Sequence, residues 1–192
     1  MIPFETRLFN SIPVLIRPLE PEDRPHVEAG IRELSSTTLL QRFQTPIFRP
    51  TERQIEYLTR VDQVDHLALC AVDKSGLEDV GAGIARCVRL ADRPTFAELA
   101  ITVKDEYQRQ GLGLILLAAL SRFAAVRGIL TFVGYVDAER RGLLHILRSL
   151  NGHVASYEGG TAEIHLDVAL SPSLFPDTKT GRLGLRTLVQ AG

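Results

Sequence analysis

Several features that would tie the chain to a particular chemistry or compartment are missing. Only two cysteines, Cys70 and Cys87, occur in 192 residues. Both lie in apolar stretches and no Cys-x-x-Cys is present, so they read as buried thiols of a reducing compartment rather than a disulfide framework. The five histidines, His26, His66, His145, His153 and His165, are scattered without metal-ligand spacing, and no metal site is expected. Positive charge is not in excess: 22 Lys and Arg face 23 Asp and Glu, a net charge of −1. That balance, with no basic patch interleaved with aromatics, argues against nucleic acid and an anionic membrane as partners. No apolar run is long enough to span a bilayer. The opening MIPFETRLFNSIPVLIRP lacks the layout of a signal peptide, so a cytoplasmic protein is expected. Internal repeats and low-complexity tracts are absent as well.

What remains is an ordinary globular composition, 45% hydrophobic and 23% charged, in a chain long enough for one domain with a sizeable core. Val14–Leu19 reads as a first strand. Glu20-Pro21-Glu22-Asp23 opens a helix that runs through Leu34. Ser35-Ser36-Thr37-Thr38 caps a second helical piece, with Leu39, Leu40 and Phe43 on its apolar face. Thr51-Glu52-Arg53-Gln54 opens a third, with Ile55 and Leu58 at helical spacing. Strands follow at residues 66–72, 80–90 and 95–103. A long helix over 111–127 ends at Gly128. Then come a strand at 129–136, a helix at 139–150, and strands at 154–157 and 162–170 joined by Gly159-Gly160. Residues 1–170 read as one domain. Residues 171–192 read as a tail, partly ordered by Leu183, Leu185 and Leu188.

The most informative stretch joins the third central strand to the long helix: Gln108-Arg109-Gln110-Gly111-Leu112-Gly113. At a helix start the backbone N–H groups have no intrahelical partners, and the helix dipole adds positive potential. Such a loop is a ready site for a phosphate, and its glycines let a ligand approach the backbone closely. It is not a P-loop, because Leu114 stands where a Lys would be needed. Nor is it a dinucleotide fingerprint, because Leu116 stands where the third glycine belongs.

The Gln/Arg-x-x-Gly-x-Gly spacing after a strand ending in Val103 resembles motif A of the GCN5-related N-acetyltransferases (GNATs). The order of elements over roughly residues 14–170 resembles that family too. The resemblance implies an α/β (α+β) fold with a mixed, mostly antiparallel sheet of about six to seven strands flanked by helices. It also implies acetyl-CoA as cosubstrate, with its pyrophosphate held by Gln108, Arg109, Gln110, Gly111, Leu112 and Gly113. Its pantetheine arm would lie along a splayed strand at Ile101, Thr102 and Val103. Arg109 enters through its backbone N–H; its side chain is either a partner of a CoA phosphate or a solvated charge.

Acetyl transfer to an amine needs a neutral nucleophile, and only about one lysine-like amine in a thousand is neutral at pH 7. A general base removes that obstacle. Glu98 lies in Phe96-Ala97-Glu98-Leu99-Ala100-Ile101 and shares a strand face with Phe96, Ala100 and Thr102. Buried there, its pKa would rise, as suits a base; the alternative is a pairing with an arginine such as Arg86. Ala97-Glu98-Leu99-Ala100-Ile101, with the Leu34-Ser35-Ser36 to Gln41-Arg42-Phe43 segment, resembles the bacterial Pat-type protein lysine acetyltransferases. That resemblance implies Glu98 as base, acting through water, and a protein lysine as acceptor.

Two departures from the family pattern stand out. Near the start of the helix after the fifth strand, Arg140 occupies the place of an Asn that contacts CoA in many members. It is either a phosphate contact or a surface charge. No Tyr stands on that helix to protonate the leaving thiolate, which leaves His145, Tyr135 and Tyr157 as candidates. Two other readings stay open. One is a small-amine acetyltransferase, with Asp62, Asp65, Glu78 and Asp79 as possible polyamine ligands. The other is a non-catalytic acyl-CoA sensor. An edge strand at the C-terminal hairpin also leaves a homodimer possible.

Overall fold

The computed structural model describes residues 3–170 and 179–190. The elements are β1 (Phe4–Arg7), β2 (Pro13–Pro18), α1 (Arg24–Glu33), α2 (Ser36–Phe43), α3 (Glu52–Thr59), β3 (His66–Asp73), β4 (Val80–Arg89), β5 (Phe96–Val103), α4 (Leu112–Ala125), β6 (Thr131–Asp137), α5 (Arg141–Ser149), β7 (His153–Glu158), β8 (Thr161–Asp167) and α6 (Lys179–Gln190). One eight-stranded sheet runs in the order β1-β2-β3-β4-β5-β6-β8-β7. Every neighbouring pair is antiparallel except β5–β6. The sheet thus has eight strands where six to seven are expected from sequence. The addition is β1, whose four residues pair with β2 from Phe4↔Ile16 to Arg7↔Pro13.

Helices cover both faces. On β3, Leu67, Leu69 and Ala71 enter one core with Ile115, Leu116 and Ala119 of α4. Ala68, Cys70 and Val72 enter another with Val27, Ile31 and Leu58 of α1 and α3. A strand that feeds two cores must be apolar at every position, which is why His66–Val72 shows no polar alternation. α5 packs through Leu144 on Ala162 and Ile164 of β8. α6 joins the α4 side, with Leu183 and Leu188 buried in that core and Leu185 packed against it.

Local chemistry sets the helix starts on the α1–α3 face. The Ser35 hydroxyl accepts the Thr38 N–H at 3.2 Å. Thr51 and Gln54 form a reciprocal capping box. The Arg17 guanidinium grips Asp23 through two bonds of 2.6 and 2.7 Å, tying the end of β2 to the start of α1. No helix among the described residues is long and apolar enough to cross a membrane.

Candidate active site

The site begins where the sheet opens. Leu90 N–H donates to Phe96 C=O (2.9 Å) and Lys104 N–H to Ala82 C=O (3.0 Å) across the β4–β5 ladder. Hydrogen-bonded positions alternate along an antiparallel pair. The main-chain groups of Glu98, Ala100 and Thr102 therefore turn toward β4. Those of Ala97, Leu99, Ile101 and Val103 turn toward β6, as the Thr131 N–H to Thr95 C=O bond of 3.1 Å also requires. Yet β6 pairs with β5 only from Phe96↔Thr131 to Glu98↔Val133. Past that point the strands part, and the main chain at Ile101 and Val103 has no partner strand among the described residues. Thr102, expected on that edge, is instead turned to Ile84 on β4, and its side chain lines a cavity on the α1–α3 side.

The cradle lies at the end of this edge. A single 3-10 turn, Asp105–Tyr107, leads to Gln108, then to Arg109 in left-handed geometry (φ 57°), and Gly111 caps α4 at φ 85°. Non-local bonds hold the turn. Asp105 accepts from Ser35 N (2.9 Å), Ser35 Oγ (2.7 Å) and Thr38 Oγ1 (2.8 Å). Gln108 Nε2 donates to Thr38 Oγ1 (3.0 Å) and Val103 O (3.1 Å). The Gln108 side chain therefore braces the loop onto α2. Burial alone would raise the Asp105 pKa, but the Ser35 N–H and the two hydroxyls outweigh it and hold the carboxyl below its ordinary value. Tyr107 is buried with its hydroxyl on Asp73 Oδ2 at 2.8 Å.

The two glycines do different things. A Cβ on Gly111 would lie 2.5 Å from Leu183 Cδ2 and 3.1 Å from Phe9 Cζ. Its freedom serves the turn and the packing of α6, not the ligand face. A Cβ on Gly113 would meet nothing within 4 Å outside its own helix among the described residues, and its N–H belongs to the first turn of α4, where no intrahelical acceptor exists. Leu112 contributes its N–H in the same way while its side chain is buried. The Gln110 carbonyl accepts the Phe9 N–H at 3.2 Å. Arg109 is exposed beside the cradle. Arg140 is exposed at the start of α5, and among the described residues it makes no side-chain hydrogen bond or ion pair to residues 108–113.

Glu98 is exposed, which corrects the expectation of a buried carboxylate: although it is paired on both sides, to Val88 and Val133, its side chain on the sheet face is left open to solvent. Nor does it pair with Arg86. That residue faces Ala100 in register while Glu98 faces Val88. Arg86 instead donates to the Leu58 carbonyl at 3.0 Å and to His66 Nε2 at 3.3 Å. The charge that answers Glu98 belongs to Arg42 of α2: burial pushes the Arg42 pKa down and Glu98 opposes the fall. On β6, burial raises the pKa of Tyr135, with Glu163 and Glu98 adding to it. Tyr135, one of the candidate proton donors to a thiolate, thus senses Glu98. Tyr157 takes a bond of 3.4 Å from Arg148, and His145 is exposed on α5.

Residues 32–149 match the Acetyltransferase (GNAT) family. The chain belongs to the GNAT family of acetyltransferases. It is 34% identical over 153 residues to the acetyltransferase Pat of Mycolicibacterium smegmatis, covering 80% of this chain and 45% of that protein. The chain thus spans less than half the length of that relative. In fold it is similar to the GNAT domain of S. lividans PAT, with a TM-score of 0.76 and 22% identity over 86% of this chain and 96% of that one. It is also similar to yncA of Salmonella typhimurium, whose structure holds its cofactor acetyl-CoA, with a TM-score of 0.64, 18% identity and coverage of 81% and 94%. The residues here suit such a cosubstrate: among the described residues there is open space beside Gly113 at a helix start, and a strand edge at Ile101 and Val103 without a partner strand.

The sequence singled out Glu98 and the cradle but not the supports around them. Asp105 and Ser35 are 70 residues apart in the chain, so no local spacing reveals their bond.

Proposed function

We propose that the chain is an acetyl-CoA-dependent N-acetyltransferase that acylates a protein lysine by direct attack, with Glu98 as general base. The observation that carries this reading is the end of β5–β6 pairing at Glu98↔Val133. It leaves an exposed carboxylate at the fork, on the strand that runs on through Ile101 to the glycine loop. An exposed Glu98 is within reach of water and of an incoming amine, which suits removal of the ammonium proton through a water molecule. The N–H of Ile101 on that strand is a donor for the thioester oxygen as charge develops there. The N–H groups of Gly111, Leu112 and Gly113 hold the pyrophosphate, and acetyl-CoA supplies the acyl group.

The protein-lysine acceptor rests on the Pat-like sequence around Glu98 and Arg42. Of the four carboxylates offered for a polyamine, Asp62, Asp65, Glu78 and Asp79, all but the exposed Glu78 are already engaged. Asp62 accepts three backbone N–H groups, Asp65 pairs with Arg89 and Asp79 with Lys74. The test is incubation with labelled acetyl-CoA and a bacterial lysate, then separation of macromolecules from small molecules. Label on protein lysines supports the reading; label confined to small molecules overturns the choice of acceptor.

A further inference from the structure

A cavity of about 130 Å³ opens between the α1–α3 layer and β3–β5, on the same sheet face as Glu98. Its charges are out of balance. Arg17 is matched by Asp23, Lys104 by Glu33 and Glu106, and Asp79 by Lys74. Two lining cations, Arg42 and Arg86, have no ion-pair partner among the described residues. Arg86 is only 5% exposed. Its two contacts are neutral, the Leu58 carbonyl and a histidine whose pKa burial and Arg86 itself push down to about 4. Arg42 lies over the Phe43 ring at 5.0 Å, and its charge repels that of Arg86.

Burying a guanidinium without an anion at pairing distance is costly, and two together more so; Glu98 offsets only Arg42, and only from beyond that distance. The arrangement is stabilised when a carboxylate enters, because arginine forks bind that group through paired, charge-assisted bonds. Glu98 does not fill the role, since it lies outside ion-pair reach of both arginines. It stands one step along the same strand face from Ala100, the register partner of Arg86. An amine delivered to Glu98 thus carries its neighbouring substituents toward the two arginines.

We propose that Arg42 and Arg86 form a carboxylate subsite of the acceptor pocket, selecting amines that bear an acidic group close to the reacting nitrogen. This rests on the acetyltransferase reading above and narrows its substrate class. The carboxylate has two possible sources: an acidic side chain beside a lysine in a protein, or the α-carboxylate of a free amino acid.

Binding tests this without turnover. With CoA present, calorimetry compares acetyl-Glu-Lys-amide with acetyl-Gln-Lys-amide, and free lysine with lysinamide. The acidic member of at least one pair should bind about 10- to 100-fold more tightly. The pair that discriminates identifies the source. Arg42→Gln should erase the preference while leaving acetyl-CoA affinity intact. Arg42 is the residue to change because it is half-buried and holds no backbone group, whereas Arg86→Gln strips the Leu58 carbonyl of its donor. Equal or undetectable binding within both pairs, or a preference that survives Arg42→Gln, overturns the proposal. A protein that shows the preference yet transfers no acetyl group would instead refute the function proposed above.

Discussion

Adding one methyl group at Gly111 or at Gly113 should give opposite results, although the positions are two residues apart. At Gly111 an alanine must adopt φ 85°, which costs about 1–2 kcal/mol for an L-residue. Its Cβ also meets Leu183 Cδ2 at 2.5 Å and Phe9 Cζ at 3.1 Å. The leucine end can swing, but the ring is less free, so the overpacking adds about 1–2 kcal/mol. The sum of about 2–4 kcal/mol lowers the melting temperature by roughly 4–16 °C in a domain of this size. At Gly113 the new methyl meets nothing among the described residues and sits within a helix, where replacing glycine gains about 0.5 kcal/mol. The melting temperature should hold or rise by about 1–2 °C. The methyl nevertheless occupies the surface on which a pyrophosphate would rest, so acetyl-CoA affinity should fall about 10- to 100-fold with the lost charge-assisted bonds. Thermal melts and calorimetric titration read both quantities. Gly113→Ala binding acetyl-CoA within twofold of the native protein, or Gly111→Ala melting unchanged, would refute the reasoning.

Two further outcomes follow from the same geometry. Asp105→Asn loosens α2 from the cradle turn and should lower stability by about 1 kcal/mol, a figure kept small because the carboxylate is partly solvated. The folded-state pKa of Asp105 is depressed. Its contribution is therefore complete above the unfolded value near ~4 and is lost as pH falls through the folded one. Melts of the two proteins should differ by a constant amount above about pH 5 and converge in stronger acid; a gap that widens in acid would contradict the assignment. Cys70 and Cys87 are buried, and burial pushes both thiols up to about 12. Neither should react with a disulfide reagent at pH 8 in the native protein, and both should react in guanidinium; rapid native labelling would show that the cores around them are open.

Much of this was legible because local chemistry decides it. The loop Gln108–Gly113 after an apolar strand announces a glycine-capped helix start. His66–Val72 is apolar throughout because it serves two cores, and Ser35 and Thr51 are the caps their hydroxyls suggest. What was not legible depends on partners far along the chain. β1 alternates only weakly over four residues and exists because β2 offers an edge. α6 carries Gly181 and Gly184, poor helix formers, and is held through Leu183 and Leu188 against the α4 core. Alternation assigned Glu98 to its face but not its exposure, which depends on how far α1–α3 extend over that face. The surplus charge of Arg42 and Arg86 appears only when α2 is laid over β4.

The most direct test of the central claim is turnover and acetyl-CoA affinity of Glu98→Gln, measured side by side with the native protein. Glu98 is exposed, so the substitution should leave the melting temperature nearly unchanged, within about 0.5 kcal/mol of stability. The account predicts acetyl-CoA binding at native strength and a kcat lower by about 10²–10⁴ at neutral pH. A variant that transfers acetyl at the native rate would contradict Glu98 as the base.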